Sequence, residues 1–185
     1  MEKLRLKGFA QDQMLIGGWV APPNAAYGGT DCITREHFQE IRDSGINVIY
    51  TMYHPEKHFE DLVRAADFAQ EAGVFLIVGD DRFGRGEGEE DSMLKTIEFC
   101  KSHPAIIGIN ACDEPGSNHY RRIAENYRKF KPYLGELLFY VNHMPIYATA
   151  SQLDGGWWTP EEAEATNSSY EKHIESFMQT VGTRM

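Results

Sequence analysis

Short apolar runs recur along the chain about every thirty residues, and this rhythm limits the possible folds more than any other feature of the sequence. Each run is too short for a helix and is apolar on both faces, as are strands of a parallel sheet that helices cover on one side. A spacing near thirty residues fits one strand, loop, helix and return turn. The predicted strands are Met14–Ile16, Ile46–Tyr50, Val74–Val78, Ala105–Ile109 and Leu137–Val141.

Segments with helical periodicity fill the intervals between these runs. From Phe59 to Gln70 the apolar residues lie at helical spacing, and Gly73 follows at the expected C-terminal stop. Pro104 cannot continue a helix, so the third helix must end before it. A loop from Ala148 to Thr166 precedes the last helix, and the capping-box sequence Thr159–Glu162 predicts a short extra helix within it.

Alternating strands and helices predict a parallel sheet with right-handed crossovers, either open and doubly wound or closed into a barrel. Two features favour the barrel: the first turn has no glycine-rich phosphate-binding sequence, and polar residues follow every strand, where barrel enzymes build their sites. A full barrel has eight units and about 250 residues. We therefore expect residues 1–185 to form a single α/β domain, a partial TIM (β/α)8 barrel of about five parallel β/α units, or a segment of a longer protein.

The charge of the chain limits its partners. The 28 acidic and 18 basic side chains give a net charge of −10, which repels nucleic acid and anionic membrane surfaces. The start, Met1–Arg5, has no apolar signal core behind its charges, so we expect a cytoplasmic protein, or a secreted or periplasmic one if a signal peptide was removed. The three cysteines, Cys32, Cys100 and Cys112, lack CxxC spacing, which argues against disulfides and a thiolate zinc site.

Polar and aromatic residues follow the first three predicted strands. Because the carboxyl ends of parallel strands share one edge, these side chains are candidates for a common site, and a tryptophan there offers a surface for the C–H faces of a sugar. Each also has a structural alternative: Trp19 as a core plug, His54 as a loop residue, and an ion pair between Asp81 and Arg82. The predicted ligand-facing residues are Trp19, Tyr53, His54 and one or both of Asp80 and Asp81.

The fourth predicted strand carries the strongest functional signal. The apolar run beginning at Ala105 leads directly into Asp113 and Glu114 and is stopped by Pro115. A carboxyl group at the rim of an apolar barrel loses solvation, which favours the protonated form that a general acid requires. Glu114 is therefore the predicted catalytic residue, whereas the alternative is a turn that only caps the next helix.

The fifth strand and the loop after it add further candidates. Asn142 and His143 follow the strand and could bond sugar hydroxyls or fix the loop. Trp157 and Trp158 stand beside two glycines, where their rings could form a sugar-stacking wall or fold back over the core.

The fourth strand resembles a known family. The segment His103–Gly108, followed by Asp113–Pro115, is similar to the fourth strand of the large clan of retaining glycoside hydrolases built on (β/α)8 barrels, which includes relatives of β-galactosidases and cellulases. The likeness extends to Tyr140–Ala148 and to the aromatic helix that starts at Tyr170. The resemblance implies that Glu114 is the acid/base of a glycosidase-like protein.

Two departures from the clan limit what the resemblance implies. The clan usually has an asparagine before the acid/base, where it binds the sugar 2-hydroxyl, and this chain has Asp113 there. The clan's nucleophile is a glutamate after strand seven, beyond the five units predicted here. The retaining mechanism needs two carboxyl groups about 5–5.5 Å apart, and Asp80, Asp81 and Asp113 are the candidates for the second. We therefore expect a carbohydrate ligand and a chain that is catalytically incomplete or unconventional by itself.

Two other function classes are consistent with the sequence. One is a non-catalytic carbohydrate-binding or degenerate barrel protein. The other is a sugar isomerase or lyase that holds Mg²⁺ or Mn²⁺ with Asp80, Asp81, Glu114 and His143, ranked lowest because HxH and HExxH spacings are absent; in the preferred interpretation no metal or cofactor is needed. Five strands would leave unpaired edges and an exposed apolar flank, which predicts a homodimer or another self-associated state.

Overall fold

The strands of the sheet are all parallel and lie side by side in the order in which the chain makes them. The computed structural model describes residues 7, 14–85, 88–155 and 169–182. The sheet curls into half of a barrel with helices outside it, which confirms the predicted partial (β/α)8 architecture of five β/α units. The strands are β1 (Gly17–Gly18), β2 (Val48–Thr51), β3 (Phe75–Gly79), β4 (Ile106–Asp113) and β5 (Leu138–Asn142).

Helices follow the strands as the periodicity predicts. The helix after β2 ends at Gly73, whose φ of 72° is left-handed and suits glycine. The helix after β3 ends at Ser102, just before the predicted stop at Pro104. The helices are α1 (Ala25–Gly28), α2 (Arg35–Asp43), α3 (Phe59–Ala72), α4 (Glu90–Ser102), α5 (Tyr120–Leu134), α6 (Ala150–Asp154) and α7 (Tyr170–Thr180), with 3-10 turns at Asp81–Phe83 and Ser117–His119.

The first strand begins later than the sequence predicts. Met14–Ile16 is not paired as a strand, and the ladder to β2 starts at Gly17. The Asn47 side chain explains this difference, because its amide donates to the Met14 carbonyl and its carbonyl oxygen accepts from the Ile16 amide. The Asn47 side chain therefore binds the Met14 carbonyl and the Ile16 amide, while the Ile16 carbonyl accepts from the backbone amides of Asn47 and Val48.

The two faces of the curled sheet differ in their packing. Ile49, Leu76, Val78 and Phe139 point toward the helices and belong to the main hydrophobic core. Because side chains alternate along a strand, the residues between them point to the concave side. These concave residues, which are half-buried, are Tyr50, Phe75, Ile77, Leu138, Tyr140 and Asn142.

A buried ion pair secures the end of β3 on the helix side. The Arg82 guanidinium donates to both carboxylate oxygens of Asp80, at 2.8 and 2.6 Å. It also donates to Thr96 and Ser92 of α4 and to Glu56 in the loop after β2. This network joins two loops to a helix and fixes the chain direction immediately after β3.

Further observations concern the cysteines, the predicted extra helix and the length of the helices. Cys100 in α4 and Cys112 in β4 are buried, Cys32 is half-buried, and all three are free thiols. The extra helix predicted at Thr159–Glu162 lies outside the described residues. Among the helices described, none has the length and apolar character needed to cross a bilayer.

Candidate functional site

An aromatic stack marks the carboxyl-terminal edge of the concave face. Trp19 follows β1, and its ring lies parallel to that of Tyr50 on β2, with centroids 4.2 Å apart and planes inclined by 5°. Trp19 is 55% exposed, so its ring remains partly open to solvent. The stack therefore forms a flat apolar surface that is fixed from below by β2.

Tyr50 occupies its position because β3 ends in glycine. A methyl group at Gly79 would meet the Tyr50 hydroxyl at 2.4 Å, so the absence of a side chain there makes room for the phenol. Burial raises the pKa of Tyr50 above its usual range, and the nearby Asp81 and Asp113 carboxylates raise it further. Tyr50 is therefore a neutral hydroxyl that faces two acidic groups.

Asp113 and Asn142 join the ends of β4 and β5. The Asn142 amide donates to a carboxylate oxygen of Asp113 at 2.9 Å. The Tyr140 hydroxyl in turn donates to the side-chain carbonyl oxygen of Asn142 at 3.2 Å. Burial, and then the negative charge of Asp113, raises the pKa of Tyr140. These hydrogen bonds leave one oxygen of Asp113 without a partner among the described residues.

Glu114 stands at the same edge in an unusual backbone conformation. Its φ of 45° is in the left-handed region, which a non-glycine residue adopts only when its surroundings impose it. The Glu114 backbone amide donates to the backbone carbonyl of Asn142 at 2.7 Å, and the Arg85 guanidinium donates to the backbone carbonyl of Glu114 at 2.6 Å. Within the described part of the chain, the half-buried Glu114 carboxylate has no hydrogen-bond or ion-pair partner. Its backbone is held firmly while its carboxylate stays available.

Asp81 adds another carboxylate on the concave side. Loss of hydration is the main cause that raises its pKa; Arg85 opposes the rise, and the negative charge of Asp113 adds to it. No hydrogen bond or ion pair of its carboxylate is present in the described ranges, although part of the residue meets solvent. Asp81 therefore tends to hold a proton more readily than an isolated aspartate.

Asn110 lies deeper in the same face, within β4. It pairs in register with Gly79 on one side and Tyr140 on the other. Its carbonyl oxygen accepts from the Cys112 amide at 3.1 Å, across the irregular step in the β4–β5 ladder. Asn110 is 1% exposed and is a polar residue in an otherwise apolar stretch of strand.

The structure brings some of the predicted site residues together and separates others. Trp19, Asp81, Asp113, Glu114 and Asn142 lie at one edge, as described above. Their roles in binding and catalysis remain predictions. We call this group, with Tyr50 and Tyr140, the concave cluster.

Tyr53 and Asp80 lie away from the concave cluster, whereas His54 lies near its member Asp81 and opposes the rise in the Asp81 pKa. Tyr53 is 1% exposed, and its hydroxyl donates to the Pro22 carbonyl. His54 accepts from the Glu56 amide at 3.2 Å in the loop after β2. Asp80 faces the helices, where it takes the place in the ion pair with Arg82 that the sequence suggested for Asp81.

His143 also turns away from the concave face. Its ring packs edge-on against Phe177 of α7, with centroids 4.2 Å apart, so it belongs to the helix layer. Trp157 and Trp158 lie outside the described residues.

Sequence reasoning missed four residues of this edge. Tyr50 and Tyr140 are not among the predicted site residues, although an extended strand would point Tyr140 to the same face as Asn142, two positions later, and Tyr50 to the same face as His54, four positions later. Asn110 could have been recognised as an amide inside an apolar strand. Arg85 gave no local signal, because its two bonds reach across to the Asp113 and Glu114 carbonyls on the next loop.

The concave cluster combines a flat aromatic surface with carboxylates, an amide and tyrosine hydroxyls. That combination suits a neutral ligand that is apolar on one face and rich in hydroxyl groups at its edges. Among residues 14–85, 88–155 and 169–182, no group of three or more His, Cys, Asp or Glu side chains is arranged to hold a metal ion.

Comparisons with known proteins show similarity in fold. No family model matches the sequence, and no curated protein matches it significantly. The crystal structure of a beta-1,4-D-mannanase from Cryptopygus antarcticus superposes with a TM-score of 0.56 at 14% identity, covering 83% of this chain and 67% of the mannanase. An endo-1,4-beta-mannanase from Rhizomucor miehei gives a TM-score of 0.44 at 11% identity, covering 80% and 70% of the two chains. The first of these similarities shows that the chain has the fold of part of this barrel.

Proposed function

We propose that the protein binds carbohydrate at the concave cluster and that Glu114 is the proton donor of a glycosidase-like site. The observation that carries this proposal is the Trp19–Tyr50 stack standing at the same strand edge as the Asp113–Asn142 pair and Glu114. The mannanase similarity supports it, because that protein shares the fold and acts on a carbohydrate by its name.

Each part of the concave cluster has a role in this proposal. The Trp19 ring packs against the C–H face of a sugar. Asp113 and Asn142 bond its hydroxyls, with the carboxylate replacing the asparagine that the related clan has before its acid/base. Glu114 donates a proton to the glycosidic oxygen, since its backbone is fixed by Asn142 and Arg85 while its carboxylate has no competing partner in the described chain.

Replacing Trp19 by alanine tests the binding proposal. We expect the affinity for a bound oligosaccharide to fall roughly tenfold, about 1.4 kcal/mol, because the flat surface above Tyr50 is lost. Isothermal titration calorimetry with β-1,4-linked manno- and gluco-oligosaccharides measures this change. Tyr133→Ala is the matched control, since Tyr133 is also partly exposed but lies on α5, away from the edge.

The outcome of that titration decides between clear alternatives. Binding that weakens in Trp19→Ala and not in Tyr133→Ala supports the aromatic surface as the sugar platform. Unchanged affinity in Trp19→Ala, or no binding by the unmodified protein across the oligosaccharide panel, would contradict the proposal.

Binding and turnover are expected to separate in this chain. The retaining mechanism needs a second carboxyl group about 5–5.5 Å from the acid/base. Asp80 is bound by Arg82, one oxygen of Asp113 accepts from Asn142, and Asp81 is unpaired in the described chain, but none of the three stands where the clan has its nucleophile, after strand seven. We therefore expect sugar binding with little hydrolysis of nitrophenyl glycosides; efficient hydrolysis that Glu114→Gln abolishes would show that the chain is catalytically complete.

We also propose that the protein self-associates through its open edges. Met14 and Ile16 beside β1 are 79% and 47% exposed, and Ile146 and Tyr147 beyond β5 are 73% and 85% exposed. Exposed apolar groups at both edges of a curled sheet favour association with a second copy. Size-exclusion chromatography with light scattering should give at least a dimer mass, and the double variant Ile146→Ser/Tyr147→Ser should shift it toward the monomer. A folded monomer of the unmodified protein at all concentrations would exclude this proposal.

A further inference from the structure

Two neighbouring imidazoles, the buried His173 and the half-buried His143, form a cluster next to the elements that contact the loop after Glu114. His173 of α7 is 4% exposed, and the Tyr120 hydroxyl at the start of α5 lies 2.6 Å from its Nε2 and 2.9 Å from its Nδ1. Its Nδ1 is also 2.9 Å from the Leu153 carbonyl of α6. A carbonyl can only accept, so Nδ1 carries the proton and Nε2 accepts from Tyr120. The neutral ring therefore satisfies both of its neighbours.

His143, at the end of β5, completes this cluster. Its ring centroid is 5.8 Å from that of His173 and 4.2 Å from that of Phe177. Its Nδ1 is buried and has no hydrogen-bond partner among the described residues. A proton gained by either ring would place a positive charge beside the other, in a space that excludes water.

The cluster is linked to the Glu114 loop by close packing. The Leu153 carbonyl, which accepts from His173, holds the end of α6 in place. Gly116 lies so close to this end that a methyl group added to it would come within 2.3 Å of the Gly155 backbone. Ser117 donates to Asp154 at 3.3 Å, and Asn118 donates to the Gly155 carbonyl at 3.3 Å. The residues after Glu114 thus rest on the end of α6, which His173 holds in place.

We infer that His143 and His173 form an acid-sensitive support for the Glu114 loop, which opens when these rings take up protons. In the protonated state Nε2 of His173 becomes a donor, so the buried Tyr120 hydroxyl loses its acceptor. The bond from Nδ1 to Leu153 survives this step, but a positive charge now lies in the buried space between α5 and α7 and is stabilised when that space opens to water. Separation of α7 from its neighbours then removes the surface on which the loop after Glu114 rests. His173 is in this sense a positioning residue for Glu114, and the inference does not depend on the carbohydrate proposal.

The direction of the effect follows from linkage. Burial lowers the pKa of His173, opposed first by the hydrogen bond to the Leu153 carbonyl and then by the Asp154 carboxylate, and burial followed by His173 lowers the pKa of His143. The folded cluster therefore binds protons less tightly than the open chain, where histidine titrates near 6.5. Its stability is fully present above that value and is lost as the pH falls from there toward the folded pKa values.

Other titratable groups face the cluster and must be separated from it. His119, in the 3-10 turn of the same loop, is half-buried, and its Nδ1 atom is buried without a hydrogen-bond partner among the described residues; burial and then Arg85 lower its pKa. The other titratable groups near the two imidazoles come from each neighbouring element. They are Cys112 from β4, Tyr120 from α5, Asp154 from α6, Tyr170 from α7, and His119 from the adjoining 3-10 turn.

Hydrogen exchange of the whole chain between pH 8 and pH 5 tests the inference. For each extra proton that the open state binds, the equilibrium constant for opening rises about tenfold per unit fall in pH. Two histidines therefore raise this constant by up to about a hundredfold per pH unit. We expect amides of 116–119, 150–155 and 170–180 to lose protection below about pH 6.5, after correction for intrinsic exchange, while those of α2 and α3 keep it. The double variant His143→Gln/His173→Gln should shift this loss about one pH unit lower, because glutamine cannot titrate but can still donate to Leu153.

Two control variants and one spectroscopic measurement make the test decisive. His103→Gln, whose ring pairs with Asp67 near the start of β4, should leave the acid transition unchanged. A transition that moves in His119→Gln and not in the double variant would overturn the inference. If the double variant fails to fold, NMR titration of the unmodified protein decides: protonation of His143 or His173 without loss of protection in these segments overturns the inference, and protonation together with that loss supports it.

Discussion

Replacing Arg82 by methionine is expected to lower the free energy of unfolding by about 3–5 kcal/mol. The side chains of Arg82 and Asp80 are 3% and 0% exposed, so the substitution leaves a carboxylate buried without its counter-charge. It also removes the hydrogen bonds from the guanidinium to Glu56, Ser92 and Thr96. A typical domain is stable by only about 5–15 kcal/mol, so the loss would be a large part of the total.

Urea unfolding followed by circular dichroism measures this loss, with the midpoint and slope determined for each variant. The matched control is Arg121→Met, because Arg121 and Glu125 form a pair whose side chains are 86% and 56% exposed and whose loss should cost less than about 1 kcal/mol. The double variant Asp80→Leu/Arg82→Met should recover much of the stability, since an apolar pair carries no desolvation cost. Equal losses in Arg82→Met and Arg121→Met would show that the buried pair does not hold the end of β3.

The parallel architecture could be predicted because it depends on local patterns. Short apolar runs, helical periodicity and stop signals such as Gly73 and Pro104 are each determined by a few neighbouring residues. The start of β1 could not be predicted in this way. It depends on the side chain of Asn47, the residue before β2, which bonds back to Met14 and Ile16.

The candidate site was less predictable than the fold because membership of the site depends on which side of the sheet each side chain faces. Asp80 and Asp81 are adjacent in sequence, yet Asp80 turns to the helices and Asp81 to the concave side. That assignment depends on the hydrogen bonds from Arg82 to Ser92 and Thr96 of α4, which lie well beyond it in the sequence. Arg85 was missed for the same reason, since it holds the Glu114 backbone across two loops.

Replacing Gly79 by alanine is expected to disrupt the concave cluster and to lower stability by about 1–3 kcal/mol, the usual cost of overpacking. The added methyl would lie 2.4 Å from the Tyr50 hydroxyl and 2.5 Å from the Thr51 carbonyl oxygen. The Tyr50 ring must then move, and the stack with Trp19 that depends on it is lost. We therefore expect carbohydrate affinity to fall by at least as much as in Trp19→Ala, measured by the same calorimetry.

The matched control is Gly17→Ala, because among the described residues a methyl group at that strand glycine meets only Val48, at an ordinary 3.7 Å. A double-mutant cycle with Tyr50→Ala then separates the two contacts at Gly79. If the phenol is the main obstacle, Gly79→Ala should cost little further stability once Tyr50 is removed. If the Thr51 carbonyl is the main obstacle, the cost should persist, because the backbone of β2 cannot move without disturbing its ladder with β3. Equal affinity and stability in Gly79→Ala and Gly17→Ala would mean that Tyr50 does not pack against Gly79. The position of the Trp19–Tyr50 stack would then not depend on that contact.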